Sequence, residues 1–106
     1  VREVASAGPK SFVSMGMNAA LKCCQVMENA QGVLGIEAIA AAQGIDFRDH
    51  EPGKGVRAAH GAVRQVVEHL DEDRPLFPDH NNMMAAVREC RILQATEEAI
   101  GELATY

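Results

Sequence analysis

Four histidines and three cysteines are the residues of this chain best suited to metal or nucleophilic chemistry. Their spacing does not assemble either. Read as one helix, residues 56–70 place His60 and His69 nine positions apart, a turn of about 180° that sends them to opposite faces. Cys23 and Cys24 are neighbours on a helix, diverge by roughly 100° and cannot close on one ion together. No Cys-x-x-Cys, His-Glu-x-x-His or Glu-x-x-His spacing occurs, so no metal site is expected. Gly53-Lys54-Gly55 beside a helix start has the character of an anion cradle but lacks the further glycines and Ser/Thr of a nucleotide loop, and reads as an interhelical connection. Glu37 stands alone in an apolar stretch, where it is either a tuned acid or base, or a structural carboxylate paired with an Arg or Lys of a neighbouring helix; the second reading is favoured. Asp71, Glu72 and Asp73 read as a solvated turn. No spacing brings a nucleophile, a base and an oxyanion site together, and no catalytic residue is assigned.

The elements that must carry these residues follow from composition and periodicity. The 106 residues suffice for one domain. Apolar residues make up 47%, but the aromatics are only three Phe and one Tyr, with no Trp. A core of Ala, Val, Leu, Ile and Met suits closely packed helices. The net charge of −5, with basic residues scattered, excludes a general phosphate-binding surface and hence nucleic acid as a partner. No apolar run reaches the 18 or so residues that span a bilayer, so no membrane segment is expected. The start at Val1 shows neither Met nor a leader, and the odd cysteine count lacks a framework spacing. These features read as a cytoplasmic piece of a longer chain with buried, reduced thiols.

Residues 1–11, interrupted by Gly8-Pro9, form an irregular lead-in, and residues 12–106 a single helical domain. From about Phe12 to Phe47 the pattern is helical, with Ser14 as a possible N-cap. Asn18, Lys22, Gln25 and Asn29 make a polar stripe. Ala20, Cys23, Cys24, Met27, Ala30, Leu34, Ala38 and Ala41 make an apolar face. Between Val33 and Ala42 only Glu37 is strongly polar, so this stretch must be surrounded by protein. About 33 helical residues give a rod of roughly 50 Å, whereas a compact chain of this length is only ~35 Å across. The rod therefore has to be covered by other chains or by more of its own. A loop over residues 48–55 precedes a second helix, about Val56 to Leu70, with Val56, Ala59, Val63, Val66, Val67 and Leu70 inward. Past the turn of residues 71–78, Asp79 is expected to cap a third helix running to about Ala104. Its expected buried positions are Met83, Val87, Cys90, Leu93, Ile100 and Leu103. The class is all-α: three helices, one very long, forming part of an oligomeric bundle.

A resemblance adds function. Val13-Ser14-Met15-Gly16, Ala19-Ala20-x-Lys22, Glu28-Asn29, Ile36-Glu37-Ala38, Ala40-Ala41-Ala42-Gln43-Gly44-Ile45-Asp46-Phe47-Arg48, Gly53-Lys54-Gly55-Val56 and Asp73-Arg74-Pro75-Leu76-Phe77-Pro78-Asp79 together resemble the C-terminal helical part of the aromatic amino-acid ammonia-lyases and aminomutases. The ordered match spans about residues 12–80; the tail from Asn82 has no assigned counterpart. The Val-Ser-Met-Gly form is most similar to the histidine-lyase branch. The resemblance implies a homotetramer with a central bundle of long helices, and elimination of ammonia from a small α-amino acid to give an unsaturated acid. It implies an autocatalytic methylidene-imidazolone electrophile formed from an internal Ala-Ser-Gly, a tripeptide absent from this chain, which therefore supplies no cofactor. The family carries Gln-Glu-Asp-His or a variant just before Val-Ser-Met-Gly, its acidic residue facing the substrate. Here Pro9-Lys10-Ser11-Phe12 occupies those positions, making Lys10 the substrate-binding candidate, with reversed charge. Either residues 1–12 are not the native continuation, or the activity is lost or altered. The expectation is a fragment of a histidine-type ammonia-lyase, inactive alone, whose partner is itself or the missing N-terminal part of the enzyme. The alternative is a non-catalytic helical oligomerisation module derived from that fold.

Overall fold

A computed structural model describes residues 15–105. Ser14, the expected N-cap, and Lys10 lie outside the described residues. Every regular element among the described residues is a helix, and there are four rather than three: α1 Gly16–Asp46, α2 Lys54–Arg64, α3 Phe77–Arg88 and α4 Arg91–Ile100.

Helix α1 runs unbroken for 31 residues, a rod of about 46 Å, because nothing between Gly16 and Asp46 is proline and alanine is frequent. The chain measures 68 × 35 × 19 Å with a radius of gyration of 20.6 Å, against ~13 Å for a compact domain of this size. The rod does project from its own domain. Residues 15–30 are exposed throughout, and only the second half of α1 is packed. There α3 lies against it, while α4 lies along α2.

The α1–α3 contact runs through two glycines. A Cβ on Gly32 would meet the His80 ring at 3.7 Å, and one on Gly35 would meet the Met84 backbone nitrogen at 3.5 Å. His80 Nε2 donates to the Gly32 carbonyl at 2.9 Å. The buried face of α1 is therefore Gly32, Gly35 and Ala42. Of the apolar face expected from periodicity, only Ala38 packs against the core.

The core is small: Ala42, Val63, Val67, Met83 and Ala86, with Ile39, Val66 and Ile92 against it. Val63, Val67 and Met83 were legible as inward positions, and Val87 is half-buried. Cys90, Leu93, Ile100 and Leu103 are exposed instead of buried, because the third helix is not continuous. Cys90 adopts φ 58°, a left-handed conformation that ends α3 and begins α4 in a new direction. Its amide donates to Val87 O and its carbonyl accepts from Gln94 N. The bend lets Ile100 reach Gly55, where an added Cβ would stand 2.9 Å from Ile100 Cδ1. All three cysteines are free and exposed, against the expectation of buried thiols.

Two boundaries also differ. Helix α3 starts at Phe77 with Leu76 as N-cap; Asp79 sits in the first turn, makes no capping bond and instead accepts from Arg74 Nε at 3.0 Å. Helix α2 starts at Lys54 and stops at Arg64, six residues before the expected Leu70. No helix among the described residues is long and apolar enough to cross a membrane.

Candidate functional site

The early end of α2 builds the densest polar site among the described residues. Once the helix stops, residues 65–70 turn back toward the last turn of α1, and His69 comes round to the same carboxylate that His60 meets. Asp46 Oδ1 accepts from His60 Nε2 at 2.6 Å, and Asp46 Oδ2 accepts from His69 Nδ1 at 2.6 Å. The expectation that these histidines diverge is overturned, since only His60 is helical.

Arg64 completes the cluster, donating to Asp46 Oδ2 from Nη2 at 2.5 Å and from Nε at 3.1 Å. The same side chain caps the turn by donating from Nη1 to Val67 O at 3.1 Å. Gln43, one helical turn before Asp46, adds a two-way bond to the loop: its Nε2 donates to Leu70 O and its Oε1 accepts from Leu70 N, each at 3.1 Å. Arg74 fixes the far end of the loop through His69 O, Glu68 O and Asp79 Oδ2.

Electrostatics decide what this cluster can do. The His69 hydrogen bond holds the Asp46 carboxyl well below the usual carboxylate range; desolvation, next in size, opposes it and is offset by the Arg64 and His60 hydrogen bonds and the guanidinium charge. A carboxylate so held is a poor base, and both its oxygens are engaged. His69 Nε2, the ring nitrogen turned away from Asp46, is partnered by Gln43 Nε2 at 3.4 Å and lies 3.7 Å from Asp71 Oδ1. The site is a clasp that fastens the 65–74 loop and α2 to the end of α1. Among the described residues no group of three or more His, Cys, Asp or Glu side chains is placed to hold a metal ion.

The other expected candidates are scattered. Glu37 is exposed and is paired with no cation among the described residues. It lies in a groove between α1 and the α3–α4 bend, beside Leu34, Ala41 and Leu93. Gly53 and Lys54 form the start of α2, with Gly53 O accepting from Arg57 N. An apolar recess of about 260 Å³ beside the clasp is lined by Ile36, Ile39, Val67, Leu70 and Leu76, with Arg74 and His80 at its polar edge.

A long half-covered helix, a small helical core and a polar clasp define a helical scaffold among the described residues. Comparison with known proteins gives that scaffold a family. The sequence model described as aromatic amino acid lyase matches residues 2–65, and the chain belongs to this family. A histidine ammonia-lyase of Sorangium cellulosum is 46% identical over 99 residues, covering 92% of this chain and 19% of that protein. One of Myxococcus xanthus is 45% identical over 95 residues, covering 89% and 19%. One of Alkaliphilus metalliredigens is 39% identical over 99 residues, covering 92% and 20%. The chain thus spans about a fifth of the length of the curated relatives it matches. No solved structure matches it.

Two expectations change. The family match begins at residue 2, so the lead-in that carries Lys10 is family sequence. Matches covering 92% of the chain necessarily include residues beyond Asn82, so the tail has a counterpart after all.

Proposed function

We propose that this chain is the C-terminal helical part of a histidine-type ammonia-lyase, in which it supplies scaffold and one wall of the site while the electrophile comes from elsewhere. The observation that carries this reading is the 46% identity over 99 residues to a histidine ammonia-lyase. The reaction would be elimination of ammonia from histidine or a related aromatic α-amino acid to an unsaturated acid, in histidine catabolism in the cytoplasm. The resemblance assigns the electrophile to an Ala-Ser-Gly tripeptide. The 106 residues contain none, so no step through that group is derived from this chain. Lys10, at the position of the family's acidic residue, would meet the substrate with a positive charge and select against a cationic group there.

The partner would be the remaining lyase polypeptide and further copies of this chain. The exposed apolar stretch of α1 supports this, because Val33 and Ile36 are 64% and 56% exposed and a helix segment apolar nearly all round needs protein about it. The same exposure favours the second reading, a non-catalytic oligomerisation module.

A chimera separates the two. This chain replaces the matched fifth of the Sorangium cellulosum relative, and product formation from histidine is followed by ultraviolet absorbance. The lyase reading predicts measurable product that increases when Lys10→Glu is introduced. A folded chimera that makes no product with either residue would overturn it in favour of the module.

A further inference from the structure

Gln43 and His69 meet nitrogen to nitrogen, and the rest of the clasp fixes which of them donates. The Gln43 amide is laddered to Leu70, its Nε2 on Leu70 O and its Oε1 on Leu70 N, each at 3.1 Å. The same Oε1 accepts from Arg64 Nη2 at 3.3 Å. Turning the amide over would set oxygen against the Leu70 carbonyl and nitrogen against the Leu70 and Arg64 donors. Nε2 is therefore the atom that faces His69 Nε2 at 3.4 Å. An amide nitrogen only donates, so His69 Nε2 must accept. It can do so only in the neutral ring that keeps its proton on Nδ1, where Asp46 Oδ2 takes it at 2.6 Å.

We propose that His69 is a proton-operated catch: neutral, its Nε2 accepts from Gln43 and joins the 65–74 loop to α1; protonated, it gives up Gln43 and donates to Asp71, within the loop itself. The catch concerns the clasp alone and does not rest on the lyase reading. A protonated Nε2 would point its hydrogen at the Gln43 amide hydrogens, donor against donor, and Gln43 cannot turn over without losing Leu70. Asp71 Oδ1 stands 3.7 Å from the same nitrogen on a side chain that is 86% exposed, so a small rotation brings it into hydrogen-bond range. The bond from Nδ1 to Asp46 serves both states, because Nδ1 carries a proton in each and Asp46 is held ionised. Phe47 meets the ring edge-on, with centroids 5.8 Å apart, and keeps its plane. The other charges of the clasp face different atoms. His60 and Arg64 of α2 are on Asp46, and Arg74 is on the His69 and Glu68 carbonyls and on Asp79 of α3. None of them touches His69 Nε2, so a proton arriving there changes the partner of that nitrogen and leaves theirs in place.

The experiment is nuclear magnetic resonance of the nitrogen-15-labelled 106-residue chain as wild type, Asp71→Asn and Gln43→Met. Imidazole nitrogens and glutamine side-chain amides are followed from about pH 5 to about pH 8.5, with the exposed His50 as the reference ring. At the alkaline end His69 carries its proton on Nδ1 and none on Nε2. As pH falls, the Gln43 side-chain amide signals move in step with the titration of His69 and not with that of His60. Near pH ~6.5 the ratio of protonated to neutral His69 falls about twofold in Asp71→Asn, which removes the acceptor of the charged form, and rises about threefold in Gln43→Met, which removes the donor to the neutral form. Asp71 is exposed, so Asp71→Asn keeps the fold and decides the matter even if Gln43→Met, which also frees Leu70, does not fold. A proton on His69 Nε2 at the alkaline end, Gln43 amide signals that stay fixed while His69 titrates, or an unchanged ratio in Asp71→Asn would each overturn the catch.

Discussion

Met83→Ala tests the packing that holds this module together. Met83 is fully buried, at 0% exposure, and is the largest member of a core whose other residues are valine or alanine. Truncating a buried methionine removes its transfer free energy and leaves a cavity, a loss of about 2–5 kcal/mol depending on how far the surroundings collapse. Here the neighbours Val63, Val67, Ala42 and Ala86 are short and branched at most once, so they have no reach with which to fill the space. The expected loss is about 3 kcal/mol, in a molecule whose total stability is of the order of 5–15 kcal/mol. At ~4–8 °C per kcal/mol for a chain of this size, the melting midpoint falls by ~12–24 °C. The assay is thermal and urea unfolding followed at 222 nm, at one fixed protein concentration because association raises apparent stability. Phe77→Ala is the control: a bulkier side chain, but 71% exposed, for which the loss is below about 0.5 kcal/mol. A Met83→Ala loss under about 1 kcal/mol, or one no larger than that of Phe77→Ala, would refute the assignment of α1, α2 and α3 to one core around Met83.

Two further outcomes follow from the clasp and the bend. Because Asp46 is held below its ordinary pKa of 3.8, chiefly by His69 and then by Arg64 and His60, its stabilising contribution is fully present above 3.8 and is lost as pH falls below that value. Asp46→Asn therefore lowers the neutral-pH midpoint and flattens the acid limb of the midpoint–pH curve relative to wild type; parallel acid limbs would contradict the clasp. Cys90 holds φ 58°, which costs a side-chain-bearing residue about 1 kcal/mol, so Cys90→Gly raises the midpoint by a few degrees in the same unfolding assay.

What could be read from residues alone was the long helix and its need for cover. Its periodicity and lack of proline over about Phe12 to Phe47 are local properties, and the described α1 ends within one residue of that reading. The contact face was misplaced because it runs through Gly32 and Gly35, which are buried against α3 but carry no hydrophobic signal. The bend at Cys90 was illegible for a related reason. Arg88-Glu89-Cys90-Arg91 contains no glycine or proline, and the turn is maintained by α4 packing onto α2, a tertiary effect that overrides local propensity. The clasp was missed through one boundary. Extending α2 to Leu70 turned His69 away from Asp46, whereas the helix ends where Arg64 bonds Val67 O. The spacing of Asp46, His60 and Arg64 carries no motif, because its geometry exists only once α1 and α2 are side by side.

The central claim is that these residues are the scaffold portion of a larger lyase, and the coding DNA upstream of Val1 tests it most directly. The account predicts an open frame continuing for several hundred codons through an Ala-Ser-Gly triplet. A stop in that frame within a few codons of Val1 would contradict it, leaving a free-standing helical module whose function lies in what α1 assembles with.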